Sequence, residues 1–177
     1  MDEILKYDKE FSEAKFKTYV NNVFVQIKLG FMSSNLERVK HFMSEELYQG
    51  YVKNLDSLKQ KNHIMMYDEL NAYDVSIVKC EKIEDRLRIT VNLISRALEY
   101  TIDKNTRKII SGDNTKRITR NNLLVFEKKI ASDTQKIGRV CEACGATIDV
   151  NQNGKCSYCG TIYNLEKYNW ILVSEKN

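Results

Sequence analysis

The chain has 177 residues, 42% of them hydrophobic and 29% charged, with a formal net charge of +4 and no proline. This composition is ordinary for a soluble globular protein, and the length predicts one domain or one domain with a small appendage. The sequence contains no apolar run of about 18 residues, which a membrane-spanning helix needs, so none is predicted. The opening "MDEILKYDKE" also lacks the features of a signal peptide. We therefore expect a protein of the reducing cytoplasm.

The first third of the chain predicts three helices. In "SEAKFKTYVNNVFVQIKLGFMSSN", apolar residues recur at three- and four-residue steps, which is typical of a helix with one buried face. Ser12 is a suitable N-cap for this helix. The segment "LERVKHF" predicts a short second helix, and Ser44 caps a third. The apolar stripe of the third helix consists of Leu47, Tyr51, Leu55 and Leu58.

After Asn62 the pattern changes to strands. In "DRLRITVNLISRALEYTID", apolar residues alternate with polar ones from Leu87 to Leu93 and then shift by one position. A shift of this kind predicts a β-bulge or a sharp bend near Leu93–Ile94. The segments "DKNTRK" and "SGDNTK" predict turns, and "NNLLVFEKKI" predicts a further strand. Helices followed by long, bent antiparallel strands indicate an α+β fold with helices packed on a curled sheet.

Four cysteines lie close to the end of the chain in "VCEACGATIDVNQNGKCSYCG". Cys141, Cys144, Cys156 and Cys159 have the spacing C-x2-C-x11-C-x2-C, which predicts a zinc ribbon holding one Zn²⁺. Iron would accept the same four thiolates, and two disulfides would require an oxidising compartment. Four protein ligands leave no open position on the metal, so we expect a structural site. The fifth cysteine, Cys80, is expected to be a small buried residue.

The residues that follow the ribbon are strongly apolar. "YNLEKYNWILVS" places Trp170, Ile171, Leu172 and Val173 together, and exposing all four would be costly. We expect them to form a strand that packs on the ribbon or on the sheet, with Trp170 buried. The predicted domains are residues 1–135, a helix-and-sheet domain, and residues 136–177, the zinc ribbon with a C-terminal strand.

Positive charge is concentrated between Lys104 and Arg139. This segment has ten Lys or Arg residues and three acidic residues, a net charge of +7. It is either a solvated sheet face or a surface for an acidic partner, whether lipid headgroup, nucleic acid or protein. The ribbon itself carries Glu142 and Asp149 against Lys155 alone, so nucleic acid is the least expected of these partners.

The sequence offers few candidates for catalysis. Its two histidines, His41 and His63, are expected at the surface or in turns. Four tyrosines could line a cavity, although tyrosines at helix and strand spacing usually belong to the core: Tyr48, Tyr51, Tyr67 and Tyr100. We therefore predict no catalytic residues and no enzyme activity.

The segment "YDKEFSEAKFKTYVNNVFVQIKLGFMSSNLERVKHFMSEELYQGY" resembles the opening of the Tim44-like domain, and "ISGDNTKR" and "LLVFEKK" resemble a later part of it. Bacterial members of that family often carry a C-terminal zinc ribbon followed by a short segment with a tryptophan, here Trp170. The resemblance implies the nuclear-transport-factor-2-like cone, in which N-terminal helices pack on a curved antiparallel sheet.

The resemblance also implies a function. Mitochondrial members tether an import motor at the membrane and touch lipid, and bacterial members are described mostly as transport-like. We therefore expect a non-enzymatic binding or scaffold module that holds a protein partner or an apolar ligand in the cone. Peripheral membrane contact and a homodimer are further expectations. Two alternatives stay open: a small-molecule-binding enzyme of the cone fold, and a nucleic-acid-binding zinc-ribbon protein.

Overall fold

The computed structural model describes residues 2–9, 11–130, 144–146, 158–159 and 170–176. Helices come first and strands follow, as the sequence predicts. The helical elements are α1 (Asp2–Tyr7), α2 (Glu13–Met32), a 3-10 helix (Leu36–Phe42) and α3 (Glu45–Gln60). The strands are β1 (His63–Ile83), β2 (Arg86–Asp103), β3 (Ile109–Lys129) and β4 (Ile171–Lys176). Among the described residues, none of the helices combines the length and the hydropathy needed to cross a bilayer.

Both long helices begin at the predicted caps. The backbone N–H of Lys15 donates to Ser12 Oγ over 3.4 Å, and that of Leu47 donates to Ser44 Oγ over 3.3 Å. These bonds satisfy donors that have no partner within the first turn of a helix. The predicted second helix forms as a 3-10 helix. Gly30 of α2 allows the 3-10 helix to pack closely, because a Cβ at Gly30 would lie only 3.0 Å from Cγ2 of Val39 in the 3-10 helix.

The four strands form one curved antiparallel sheet in the order β1-β2-β3-β4. Odd-numbered residues of β2 from Leu87 to Ala97 point to the buried face of this sheet, on which α2 packs. These residues and their neighbours from β3 and α2 are almost fully buried: Leu87, Ile89, Val91, Leu93, Leu124, Phe126, Phe16, Val20, Val23, Phe24 and Ile27. Burying this apolar surface is the main force that holds the helices on the sheet. The result is the predicted α+β arrangement of helices on a curved sheet.

The bulge predicted near Leu93–Ile94 is not found in β2, and the prediction of its position was wrong. The register of β2 with β3 is unbroken from Arg86 to Leu98 and shifts first between Leu98 and Tyr100 and again between Thr101 and Ile102. The odd-numbered positions stay buried at Ser95 and Ala97. The alternation of large apolar residues does not predict that the buried face continues, because Ser95 and Ala97 have only a hydroxyl and a methyl group at these positions.

A buried hydrogen bond explains why a serine can lie on the core face. Asn122 Nδ2 donates to Ser95 Oγ and to the Leu93 carbonyl oxygen, each over 2.9 Å. A buried polar group costs little stability when its hydrogen bonds are made. The irregularity near this point belongs to the neighbouring strand β1, whose register shifts between Ala72 and Asp74 opposite Ser95 and Ile94.

The two predicted turns have different outcomes. "DKNTRK" forms the turn between β2 and β3, with Asp103 Oδ1 accepting from the backbone N–H groups of Asn105 and Thr106. "SGDNTK" lies inside β3, so its prediction as a separate turn was wrong. Its turn chemistry is nevertheless present. Asp113 Oδ1 accepts a hydrogen bond from the backbone N–H of Thr115 over 2.7 Å. Gly112 pairs with Tyr100 and Arg117 pairs with Leu98, so the residues between Gly112 and Arg117 are an insertion in β3 relative to β2.

Replacing Gly112 with alanine should destabilise the protein by about 2 kcal/mol or more. Gly112 has a φ of +82°, and a Cβ there would lie 2.4 Å from the carbonyl oxygen of Glu99. The matched control is Gly50→Ala in α3, where a Cβ meets nothing within 4 Å. That change should stabilise the protein by roughly 0.5–1 kcal/mol. Urea unfolding of both variants measures the difference, and equal midpoints would contradict the tight position of Gly112.

The C-terminal segment returns to the sheet. β4 pairs with β3 between Leu123 and Glu127, and the Leu172 carbonyl oxygen accepts from the backbone N–H of Ser44 over 2.9 Å. Trp170 is 6% exposed. The predicted terminal strand and the burial of Trp170 are therefore confirmed, and the strand packs on the sheet. The division of the chain at residues 135 and 136 stays a prediction.

Candidate functional site

A buried ion pair lies where α2, α3 and β4 meet. Lys28 Nζ lies 2.7 Å from Glu175 Oε1, and the two side chains are 9% and 8% exposed. Lys28 Nζ also donates to the Tyr51 hydroxyl over 3.2 Å, and this hydroxyl donates to Glu175 Oε2. Rings of Phe24, Tyr51 and Tyr67 surround the ammonium group at 5.1–5.6 Å. Buried charges are tolerated when they are paired and hydrogen-bonded in this way.

The phenols of this cluster remain protonated at neutral pH. Burial raises the pKa of Tyr51 far above its ordinary value, and the neighbouring charge of Glu175 raises it further. Burial, followed by the charges of Glu99 and Glu175, raises the pKa of Tyr67 to about 12. A deprotonated phenol would be a further negative charge beside these carboxylates. Tyr51 therefore acts as a hydrogen-bond donor and is not available as a base at neutral pH.

A second ion pair bridges β2 and β3 close to Tyr67. Arg120 Nε lies 2.9 Å from both carboxylate oxygens of Glu99, and Nη2 lies 2.7 Å from Oε2. The hydrogen bond to Glu99 raises the pKa of Arg120. Each cation of the two pairs thus faces its own carboxylate. This arrangement can fix strands and helices relative to one another, but it offers no uncommitted acid or base for chemistry.

The tyrosines considered as cavity residues separate into two groups. Tyr51 and Tyr67 come together around Lys28. The Tyr48 hydroxyl instead donates to Glu37 Oε1 over 2.9 Å, and the Tyr100 hydroxyl donates to Asp68 Oδ2. Neither ion pair is predicted from the sequence. One signal could have indicated the first of them, because Lys28 falls on the apolar face of α2 one residue after Ile27.

The histidines are not brought together with these residues. His41 lies in the 3-10 helix, with its ring centroid 4.0 Å from that of Phe42, and burial lowers its pKa. His63 begins β1 and pairs in register with Asp103. Neither position contributes to the Lys28 cluster. The expectation that neither histidine is a catalytic base stays a prediction.

Two of the four predicted metal ligands, Cys141 and Cys156, lie outside the described residues. Cys144 and Cys159 are exposed, and no metal-binding group of three or more His, Cys, Asp or Glu occurs within the described part of the chain. Gly145 follows the first cysteine pair and has a φ of +72°, in the left-handed region that favours glycine. Four thiolates at this spacing suit tetrahedral Zn²⁺, and the site stays a prediction. Cys80, expected to be buried, is half-buried in β1.

A cluster of exposed cations lies at one end of the sheet. The backbone N–H of Lys104 donates to the Asn62 carbonyl oxygen over 2.8 Å, which joins the β2–β3 turn to the turn after α3. This end also exposes Ile109 and Ile110, which are 43% and 47% accessible. We call the following residues the basic tip: Lys61, Lys104, Arg107, Lys108, Ile109 and Ile110.

The charge of the basic tip is poorly compensated. Considering the described residues alone, none of its four cations has a carboxylate within ion-pair distance, 4.0 Å. The adjacent carboxylate of Asp103 accepts hydrogen bonds from Thr106 and Asn105, which lower its pKa. It stays ionised and offsets one of the four positive charges. The basic tip is therefore a net cationic surface with two apolar side chains in it.

Helices packed on one face of a curved, four-stranded antiparallel sheet define an α+β domain of the cone-like class. The family model of the Tim44-like domain matches residues 1–142, and the chain belongs to this family. No curated protein matches the chain. Among solved structures, the intermembrane space region of the chloroplast protein ARC6 is similar, with 11% identity and a TM-score of 0.44. The match covers 66% of this chain and 87% of that one, and it is too distant to inform function.

Proposed function

We propose that this Tim44-like domain is a non-enzymatic binding module that attaches to an acidic surface through the basic tip. One observation carries the proposal. The buried Lys28 and the exposed Arg120 each have a carboxylate partner, whereas the four cations at the tip lack one within the described part of the chain. Unpaired cations on one end of a rigid domain attract acidic surfaces. An enzyme of this fold would instead need an acid or base in the interior that is free to react.

Retention on a heparin column tests this function. The variant Lys104→Glu/Lys108→Glu should elute at clearly lower salt than the parent chain, because the surface attraction is electrostatic and screened by ions. The control variant, Lys15→Glu/Lys53→Glu, changes the net charge equally at exposed positions in α2 and α3. Equal elution of the two variants would mean that heparin responds to net charge alone, and the proposed binding surface would be wrong.

We also propose that Cys141, Cys144, Cys156 and Cys159 hold one structural Zn²⁺. The spacing supplies four thiolates, and Gly145 supports the turn after Cys144. Elemental analysis of freshly purified, reduced protein should find one zinc per chain. Protein with neither zinc nor iron would contradict the site. If the ribbon also holds the terminal strand in place, a chelator should shift the emission of Trp170, the only tryptophan, to longer wavelength.

A further inference from the structure

The two edges of the sheet are protected to different extents. β4, at one edge, has six residues, and its outer side is covered where Ser44 donates to the Leu172 carbonyl oxygen and Met43 forms an isolated bridge with Leu172. β1, at the other edge, has 21 residues. Within the described part of the chain, residues 74–79 of β1 make no backbone hydrogen bonds other than those of the β1–β2 ladder. An open edge of this kind can pair with a further strand.

Two large side chains of β1 are strongly exposed along this edge. Tyr73 and Val78 are skipped by the register of β1 with β2, so each lies at an irregularity of the ladder. They are 55% and 60% exposed. Bulges often protect an edge strand, usually together with charged side chains. Here the two irregular positions present an aromatic ring and an isopropyl group to solvent, which suits a partner that covers them.

A groove lies between β1 and the start of α2. It has a volume of about 430 Å³ and is lined by Glu13 and Lys17 of α2 and by residues 76–80 of β1. Asn21 follows Lys17 by one turn on the same face of α2, and its Nδ2 donates to the Ala72 carbonyl oxygen over 2.6 Å, which joins helix and strand at that point. Glu13 and Lys17 instead pair with each other, so the space beside the strand stays open.

The charges around the groove favour an uncharged occupant. The Glu13–Lys17 pair and the Lys79–Glu81 pair, each with 2.7 Å between nitrogen and oxygen, give the rim no net charge. A strongly acidic or basic segment would gain little from such a surface. An uncharged extended peptide matches it, because its backbone offers both N–H donors and carbonyl acceptors to the strand edge. Its alternate side chains can then enter the groove.

A single extended segment fits this site better than a second copy of the chain. An added strand lies about 4.8 Å from its neighbour. Two copies that pair through β1 would each bring an α2 helix, about 10 Å across, to the shared edge, where the groove has space for a strand. The occupant is therefore a stretch of another protein that has no helix packed beside it.

We propose that β1 and the first turns of α2 form a docking groove for an uncharged, extended peptide segment of another protein. The segment adds to the sheet as a further strand beside residues 74–79, and its apolar side chains cover Val78. This surface is separate from the basic tip, so the inference goes beyond the proposed function and does not depend on it.

Selection of peptides from a phage-displayed random library on the full chain tests the groove. Enriched peptides should be uncharged and rich in β-branched residues, and labelled synthetic copies should bind in a fluorescence anisotropy titration. Val78→Lys places a charge at the groove and should weaken binding roughly tenfold or more. The matched control is Ile110→Lys, which makes the same kind of change at a residue that is 47% exposed in the basic tip. It should bind like the parent chain.

Hydrogen exchange, measured by mass spectrometry, locates the bound peptide. Backbone N–H groups without a partner exchange quickly, and pairing with an added strand protects them. The peptide should slow exchange in residues 74–79 and leave residues 171–176 unchanged. Thermal unfolding of both variants confirms that they are folded.

The outcomes separate this inference from its alternatives. Slower exchange in β1 together with weaker binding by Val78→Lys, and not by Ile110→Lys, supports it. A selection without enriched peptides, or peptides that bind without protecting β1, overturns it. Acidic peptides that lose binding in Lys104→Glu/Lys108→Glu also overturn it, and they support the basic tip instead. A dimer in sedimentation that Val78→Lys abolishes, without peptide binding, assigns the edge to a second copy and overturns the peptide groove.

Discussion

Replacing Lys28 with methionine should lower the free energy of unfolding by about 3–5 kcal/mol. Methionine fills a similar volume, so the main effect is the loss of the ammonium group. The carboxylate of Glu175 would then remain almost fully buried, with Tyr51 as its hydrogen-bond donor. A buried charge without its partner is far more costly than an exposed one. Urea unfolding, followed by circular dichroism, measures the change.

Two further variants make this expectation specific. The variant Lys28→Met/Glu175→Gln should recover most of the lost stability, because the amide oxygen can still accept from Tyr51 and no charge is left buried. The variant Lys17→Met removes the exposed pair with Glu13, where the nitrogen and oxygen are 2.7 Å apart. Exposed pairs of this kind contribute about 0–1 kcal/mol. If Lys28→Met costs no more than Lys17→Met, the buried cluster does not stabilise the fold.

Replacing Trp170 with alanine should also cost about 3–5 kcal/mol. The indole packs edge-on against Phe16, with ring centroids 5.1 Å apart, and against Phe11 at 6.0 Å. The Tyr19 hydroxyl holds the same segment by donating to the Trp170 carbonyl oxygen over 2.6 Å. Truncation would leave a cavity beside the rings of Phe11 and Phe16 and weaken the attachment of β4.

The control for this second prediction is Tyr73→Ala, which removes an exposed aromatic ring from β1 and should change the free energy of unfolding by about 0.5 kcal/mol or less. Trp170→Phe should fall between the two, because it keeps an aromatic ring in the same place. Thermal and urea unfolding give the order of the variants. A Trp170→Ala variant as stable as Tyr73→Ala would show that the terminal segment contributes little to the domain.

Much of the local structure follows from short-range patterns. Ser12 and Ser44 mark the starts of α2 and α3, and each acts on a donor three residues away. The buried face of β2 from Leu87 to Leu93 follows from alternation alone. The segments that resemble the Tim44-like domain also led to the family that the family model shows. Caps and periodicity can be predicted because their interactions lie within a few residues of each other.

Other features depend on partners that are far apart in the chain. Ser95 lies on the core face, where Asn122, 27 residues later, donates a hydrogen bond to it, so the buried face of β2 continues past the position at which a bulge was expected. "SGDNTK" makes the turn contacts expected of it, yet pairing of the flanking residues with β2 keeps it within β3. In both cases a cross-strand partner determines the outcome, and a local pattern contains no information on that partner.

The helices, the buried face of β2 up to Leu93 and the apolar character of the terminal segment can be predicted from the sequence. The place where the terminal segment packs and the charges that meet depend on the tertiary fold. Lys28 and Glu175 are 147 residues apart and form a buried pair only because β4 returns to the edge of β3. The basic tip likewise arises where the turn after α3 meets the β2–β3 turn. Charge and hydrophobicity are properties of single residues, but burial and pairing arise only when the chain is folded.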